Sequence, residues 1–474
     1  MESAVASTST FNNTPAPHLV VEPARRLRFV ALVSVIFFTV SGGAFGIESL
    51  VGTVGAGLAV VLIIITPLLW SLPIALMVSE LSSAMPEEGG YYVWVRRGLG
   101  DFWGVQEGWW TICYTAVDMA IYPVLFVNYL AYFVPSLLAL DEQGSASWTV
   151  FLWRWLIAVT LIVAGLGVNW RGARDVGRNA TFNVGLVLVP FALLAFIGLT
   201  RDGAIGAAAG AITSDLANRK ESGLLALGLA TVMWNYCGWD NVSTFAAEVD
   251  DAPRNYPRAL LTALPLTVGA YLLPVLAGLS VTTDAAVWSE AAGWPVLAQL
   301  IAGPWLGLLL ASAALVSAWS LFNSQLLYVS RLPFAMARDG WLPALLARVS
   351  PKTGVPTAAL VASCTISALF AALPFGKLVI IDILLYSAAL SLEFAALLAL
   401  RRRRPEMPRP FRVPGGWPVL VLMTLAPMSF AAAVVVATFT DPEADPRQAA
   451  TVVIAILSGI ALYYARRRKA VRQK

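Results

Sequence analysis

A single histidine in 474 residues leaves little room for imidazole chemistry. It is His18, in a polar N-terminal stretch, so no histidine metal site or Ser-His-Asp triad can be assembled within the apolar runs. Cysteine is nearly as scarce: Cys113, Cys237 and Cys364 lie far apart in apolar runs, without CxxC spacing. An odd, scattered set argues against a disulfide framework or a thiolate zinc site and reads as small, reduced thiols. Charge is the third deficit. Only 13% of the residues are charged, about half the ~25% usual for soluble domains. With 58% hydrophobic residues and a mean hydropathy of +0.73, polar side chains are too few to cover the roughly three soluble domains this length would form. These shortages exclude a soluble enzyme, a disordered chain and a nucleic-acid module.

What is abundant is long, continuous apolar sequence. Barrel strands would alternate apolar and polar residues, so the runs read as helices, and the fold class is an all-α polytopic membrane protein. A span needs ~20 mostly apolar residues, and twelve candidates lie at roughly 29–52, 57–82, 102–135, 148–168, 177–200, 223–247, 258–281, 304–335, 357–373, 378–400, 416–438 and 448–465. With a cytosolic N-terminus, 26 of the 32 Lys and Arg residues fall in cytosolic segments, as the positive-inside rule requires. The basic pI of about 9.0 is thus explained by topology rather than by a nucleic-acid partner. Residues 1–24 carry no short apolar h-region, so a cytosolic tail and an uncleaved first helix are expected.

Two spans are interrupted. Ser41-Gly42-Gly43 followed by Phe45-Gly46 breaks the first, where each glycine costs ~1 kcal/mol relative to Ala. The sixth carries Trp234-Asn235-Tyr236-Cys237-Gly238-Trp239-Asp240 at its centre. Close helix packing is the alternative reading of the glycines. Two breaks five helices apart, in oppositely directed spans, match a secondary transporter built from a five-helix inverted repeat. The expected divisions are a tail over 1–24, a first repeat over 25–200, an extracellular loop over 201–222, a second repeat over 223–400, two further helices over 401–465 and a basic tail over 466–474.

Acids stand at membrane depth, where each costs ~2.5–3.5 kcal/mol. Glu48 follows the first break, Asp118 lies inside the third span and Asp240 adjoins the second break. Glu107 and Glu248 lie nearer the span ends, and Asp382 and Glu393 sit in the tenth span. No Lys or Arg occurs at comparable depth in those spans. The acids are therefore protonated, sharing a proton, hydrated or awaiting a mobile cation; hydrogen bonding to a neighbouring helix is the structural alternative. Tyr114, Asp118 and Tyr122 are spaced i, i+4, i+8 on one helix face, while Trp234, Tyr236 and Trp239 surround Asp240 in sequence. Carboxylates among aromatic faces suit ammonium groups. Backbone amides near Gly42 and Gly43 could meet a substrate carboxylate, but nearby Glu48 would repel it, which favours a substrate with two or more amines.

The segment from Glu80 through Gly100, with Met85-Pro86-Glu87-Glu88-Gly89-Gly90-Tyr91 at its centre, resembles the second helix and following loop of the amino acid–polyamine–organocation superfamily. Ser330 through Pro343, followed by Thr353-Gly354-Val355-Pro356, resembles the loop after its eighth helix. Val40 through Glu48, Phe102 through Trp110, Tyr122 through Phe126, and Trp239-Asp240 through Ala247-Glu248-Val249 are similar to plant-type polyamine uptake transporters and their bacterial relatives. The resemblance spans about 25–465 and implies a LeuT-like fold with a 5+5 inverted repeat, broken helices one and six, and proton-coupled polyamine uptake. It carries a binding role onto Glu48, Asp118 and Asp240. Ser49 and Asn128 stand where the resemblance would place acids.

The expected function is polyamine import by proton symport and alternating access at the plasma membrane, with both termini cytosolic. Gly42, Gly43, Glu48, Tyr114, Asp118, Tyr122, Trp234, Tyr236, Trp239 and Asp240 are the expected substrate-binding residues, with Glu48, Asp118 and Asp240 also coupling the proton. The partners are a small cation, protons and membrane lipid; no cofactor, metal or nucleic acid is expected, and the expected assembly is a monomer. The alternatives are a cationic or neutral amino acid permease on the same fold and a nutrient sensor that does not transport.

Overall fold

The computed structural model describes residues 28–87, 89–139, 147–171, 180–218, 224–241, 243, 249–288, 293–351, 353–440 and 446–472. The expected tail over 1–24, with His18, and also Glu248, lie outside the described residues. Regular structure among those described is helical. In chain order it comprises α1 (Phe29–Val40), α2 (Glu48–Val54), α3 (Ala56–Ala84), α4 (Gly90–Leu99), α5 (Asp101–Leu130), α6 (Trp148–Trp170), α7 (Ala180–Leu199), α8 (Ala204–Ala217) and α9 (Leu225–Asn235). There follow α10 (Ala252–Leu279), α11 (Gly293–Ala302), α12 (Pro304–Val329), α13 (Arg331–Arg338), α14 (Thr357–Phe370), α15 (Phe375–Arg403), α16 (Gly416–Thr440) and α17 (Pro446–Arg472).

Every one of the twelve expected apolar stretches contains helix, but among the described residues only eight helices are long and apolar enough to cross a membrane. A ninth is counted when α7 and α8, bent by 92°, are taken as one span. The shortfall has local causes. The breaks leave α1 with 12 residues and α9 with 11, and α14 has 14. The structure also adds helices that hydropathy alone does not isolate. α8 occupies most of the segment 201–222 expected as a loop, and α4, α11 and α13 lie between longer helices.

The first break is built from glycine conformation. Gly42, Gly43 and Gly46 have φ of +55°, +100° and +91°, a region that L side chains rarely enter. Space is short as well: a Cβ on Gly43 would stand 2.4 Å from Val187 Cγ1, and one on Gly42 2.3 Å from Leu321 Cδ1. α1 therefore stops at Val40 and the chain restarts as α2 at Glu48. The second break follows Asn235, with Gly238 at φ +87°.

Burial sorts the helices into an inner and an outer set. α5 packs along α15 and α12, and α5 and α15 carry the buried acids Glu107, Asp118, Asp382 and Glu393. α6, α16 and α17 lie outside them and expose large apolar residues, among them Trp153, Val163, Leu422, Phe439 and Ile454. An exterior of large apolar side chains is the arrangement expected of a protein solvated by lipid. α8 is tied to the bundle by Asp215, whose Oδ2 accepts the Gly57 amide at 2.9 Å at the start of α3.

Candidate functional site

A small cavity of about 30 Å³ lies where the two breaks meet α5 and α12. Its wall includes Ser41 and Phe45 from the first break, Asp118, Tyr122 and Tyr129 from α5, Trp234 at the end of α9, Gly238 and Asn241 beyond it, and Ser317 and Gln325 from α12. Asp118 is the one acid lining it among the described residues, and no Lys, Arg or His lines it there.

Asp118 is 7% exposed, with its carboxylate held from two sides. The Trp234 indole donates to Oδ1 at 3.0 Å, and the Tyr122 hydroxyl donates to the carboxylate at 3.0 and 3.2 Å. Gln325 in turn donates to the Tyr122 oxygen. The Tyr122 and Trp234 rings are tilted with centroids 6.3 Å apart, and Phe375 meets Trp234 edge-on at 5.5 Å. A carboxylate oriented by neutral donors, walled by aromatic faces and given no resident cation can accept an ammonium group from the cavity.

The other expected site residues take different positions. Glu48 is fully buried but turned back onto the first break: Oε2 accepts the Gly46 amide at 2.7 Å, and the Tyr129 hydroxyl donates to Oε1. It thus satisfies backbone donors at the start of α2, where the helix dipole favours a negative charge. The Gly43 amide is taken by Ser41 Oγ at 3.2 Å, and the Gly42 carbonyl accepts from Ser317 at 2.6 Å. The Gly43 amide is therefore already occupied within the break.

Asp240 sits behind the cavity wall, 1% exposed, with Oδ1 accepting the Tyr386 hydroxyl at 2.6 Å and Oδ2 unpartnered among the described residues. The Tyr114 hydroxyl is 3.2 Å from Asn241 Oδ1, and its ring packs edge-on against Tyr386. Tyr236 points away to α3, donating to the Ile63 carbonyl at 3.0 Å, and Trp239 donates to the Tyr236 carbonyl at 2.9 Å. Of the ten expected residues, Asp118, Tyr122 and Trp234 line the cavity together, and the other seven do not line it.

Sequence reading missed Gln325, Ser317 and Asn241, because a neutral polar residue in a long apolar span carries no charge signal. It also missed a buried ion cluster. Glu80 accepts from Arg401 Nε at 2.6 Å and from the Val413 amide at 2.9 Å, with Arg409 Nε at 3.2 Å. Burial pushes the Arg409 guanidinium below its ordinary value, opposed by Glu80. Beside α4, Arg96 bridges Asp101 at 2.7 Å and Asp339 at 2.8 Å, and Tyr92 donates to Asp339 at 2.8 Å. Burial, aided by the Asp339 carboxylate, pushes the Tyr92 phenol up. Among the described residues no group of three His, Cys, Asp or Glu is placed to hold a metal ion.

A family model described as amino acid permease matches residues 27–462. The chain is 35% identical over 412 residues to polyamine transporter PUT1 of Oryza sativa subsp. japonica, covering 87% of this chain and 74% of that protein. It is 32% identical over 421 residues to polyamine transporter RMV1 of Arabidopsis thaliana, covering 88% and 82%. An uncharacterized transporter of Mycobacterium tuberculosis is 29% identical over 299 residues, covering 63% of this chain and 62% of that protein.

Proposed function

The chain belongs to the amino acid permease family, and we propose that this integral membrane transporter imports polyamines of the putrescine and spermidine class. The observation that carries this reading is Asp118: a carboxylate on the cavity wall, oriented by Trp234 and Tyr122, with no cationic side chain lining the cavity among the described residues. A primary ammonium placed there replaces lost hydration with a charge-assisted hydrogen bond and aromatic contacts. The names of the rice and Arabidopsis relatives support the same substrate class.

The proposed architecture is twelve spans in a LeuT-like 5+5 inverted repeat, divided at 25–200 and 223–400, with both termini cytosolic and the protein in the plasma membrane. The 41–47 and 236–240 breaks are the hinges about which the two sides open in alternation. Import is coupled to protons, with Glu48, Asp118 and Asp240 as the carboxyls that exchange them. A substrate ammonium reaching Asp118 favours its ionised form and releases a proton to the acids behind it.

Competition in proteoliposomes tests the substrate. Unlabelled spermidine displaces labelled putrescine, whereas arginine at equal concentration does not. Displacement by arginine, with no effect of spermidine, would place the chain among cationic amino acid carriers instead.

A further inference from the structure

Two glutamates buried below the cavity have no role in holding substrate. Glu107 lies eleven residues before Asp118 on α5, and Glu393 eleven residues after Asp382 on α15. Eleven residues are about three helical turns, so each pair shares a face and its members stand about 16 Å apart along the axis. α5 and α15 pack side by side in opposite directions, with Tyr114 against Tyr386 and Arg403 at the end of α15 donating to the Gly98 carbonyl just before α5, so the two helices place a glutamate each toward the same end of the bundle. That end carries Arg96, Arg97 and Arg401–Arg403, the side that the positive-inside rule makes cytosolic.

The two glutamates are almost wholly enclosed, 0% and 1% exposed. Glu107 Oε1 accepts from Thr111 at 2.8 Å, while Glu107 Oε2 and Glu393 Oε2 have no hydrogen-bond partner among the described residues. Asp240 Oδ2 is in the same condition, and Asp240, Glu107 and Glu393 lie within electrostatic range of one another. The other titratable groups around the glutamates are Tyr91 of α4, Tyr114 of α5 and Tyr386 of α15; Tyr256 of α10 faces Asp240, and Cys237 faces Asp240 and Asp382. None of these is a cation. An ionised carboxylate with an unpaired oxygen at that depth is costly, and one proton removes the cost. Tyr386, which donates to Asp240, lies seven residues before Glu393, and Tyr114, which packs on Tyr386, lies seven residues after Glu107; about 10 Å of helix thus separates the level of Asp240 from that of either glutamate, a gap that water can bridge for a proton.

We propose that Glu107 and Glu393 carry the coupled proton from Asp240 to the cytosolic face, along a route separate from the substrate's. Asp240 keeps Oδ1 on Tyr386 and holds its proton on Oδ2. A glutamate first gives its own proton to the cytosol, the Asp240 proton moves through bridging water to the vacated Oε2, and Asp240 takes up the proton that Asp118 releases on binding substrate; Asp118 takes its next proton from outside once the substrate has left, so each carboxyl returns to its starting state and one proton crosses per cycle. The inference rests on the symport reading above and names the acids that complete it.

The test uses the full chain in proteoliposomes, with labelled putrescine and a pH dye inside. Two quantities are read: accumulation driven by an inward proton gradient, and putrescine exchange without a gradient, which needs no net proton movement. E107Q and E393Q keep exchange within about twofold of the unaltered protein, and their combination loses gradient-driven accumulation and substrate-induced acidification at least tenfold. E393D placed in the E107Q background, which keeps one acid, restores both. Full accumulation by the double glutamine variant overturns the relay. Loss of exchange in the glutamine and aspartate variants alike also overturns it and assigns the acids to packing. An unaltered protein that exchanges putrescine but shows no proton-driven accumulation sinks the symport reading itself, a failure visible before any substitution is made.

Discussion

Replacing Asp118 with Asn removes one charge from the cavity and little else. The amide keeps the carboxylate's shape and can still accept from the Trp234 indole, 3.0 Å away, and the Tyr122 hydroxyl can reorient. The fold should therefore lose only about 1 kcal/mol, the scale of one weakened hydrogen bond. Substrate loses more. An ammonium about 4 Å from a carboxylate gains up to about 4 kcal/mol at an effective dielectric of 20. Replacing the charge by an amide dipole forfeits about 2–4 kcal/mol, or roughly 30- to 1000-fold in affinity. Binding of labelled putrescine to purified Asp118→Asn protein reads this directly, with a melting curve as the control for folding. A loss below about threefold, in a variant that melts with the unaltered protein, would remove Asp118 from the amine site.

Three further outcomes follow from the supports of the site. Glu80→Ala leaves the buried guanidinium of Arg401 and that of Arg409 without their carboxylate; stability should fall by about 3–5 kcal/mol, seen as earlier thermal unfolding in detergent. Gly43→Ala forces a φ of +100° on a side chain and a 2.4 Å approach to Val187, costing at least about 1–3 kcal/mol for the backbone alone. Adding Val187→Ala should recover the collision but not the backbone part, so partial rescue of the melting temperature is the expected reading. Asp215→Ala uncaps the Gly57 amide, which should cost about 0.5–2 kcal/mol and speed hydrogen exchange at the start of α3 while leaving putrescine affinity unchanged.

The parts of the site legible in the sequence were those where a local rule applied. Asp118 stood out because charge is rare at membrane depth, and its i+4 neighbour Tyr122 shares its helix face by simple periodicity. The breaks were legible because consecutive glycines have few other uses inside a span. Phase is lost across a break, however. Tyr236 and Trp239 adjoin Asp240 in sequence, yet the non-helical turn after Asn235 sends Tyr236 toward α3 and away from the cavity. Glu48 shows the same effect, since a new helix beginning at that residue draws its carboxylate onto the Gly46 amide. Arg401 followed the positive-inside pattern, but its buried pairing with Glu80, 321 positions earlier, has no local signature. The twelve-span expectation meets eight or nine helices of spanning length among those described, because hydropathy counts apolar residues and takes no account of where a helix ends, as at the glycine breaks after Val40 and Asn235 and at Phe370 of α14.

Uptake of labelled putrescine by the purified protein in proteoliposomes, with and without an inward proton gradient, is the most direct measurement. Accumulation above equilibrium that requires the gradient, is abolished by collapsing it and is displaced by spermidine is the predicted result. Equilibration of putrescine indifferent to the gradient, or no putrescine entry while an amino acid is taken up, would contradict it.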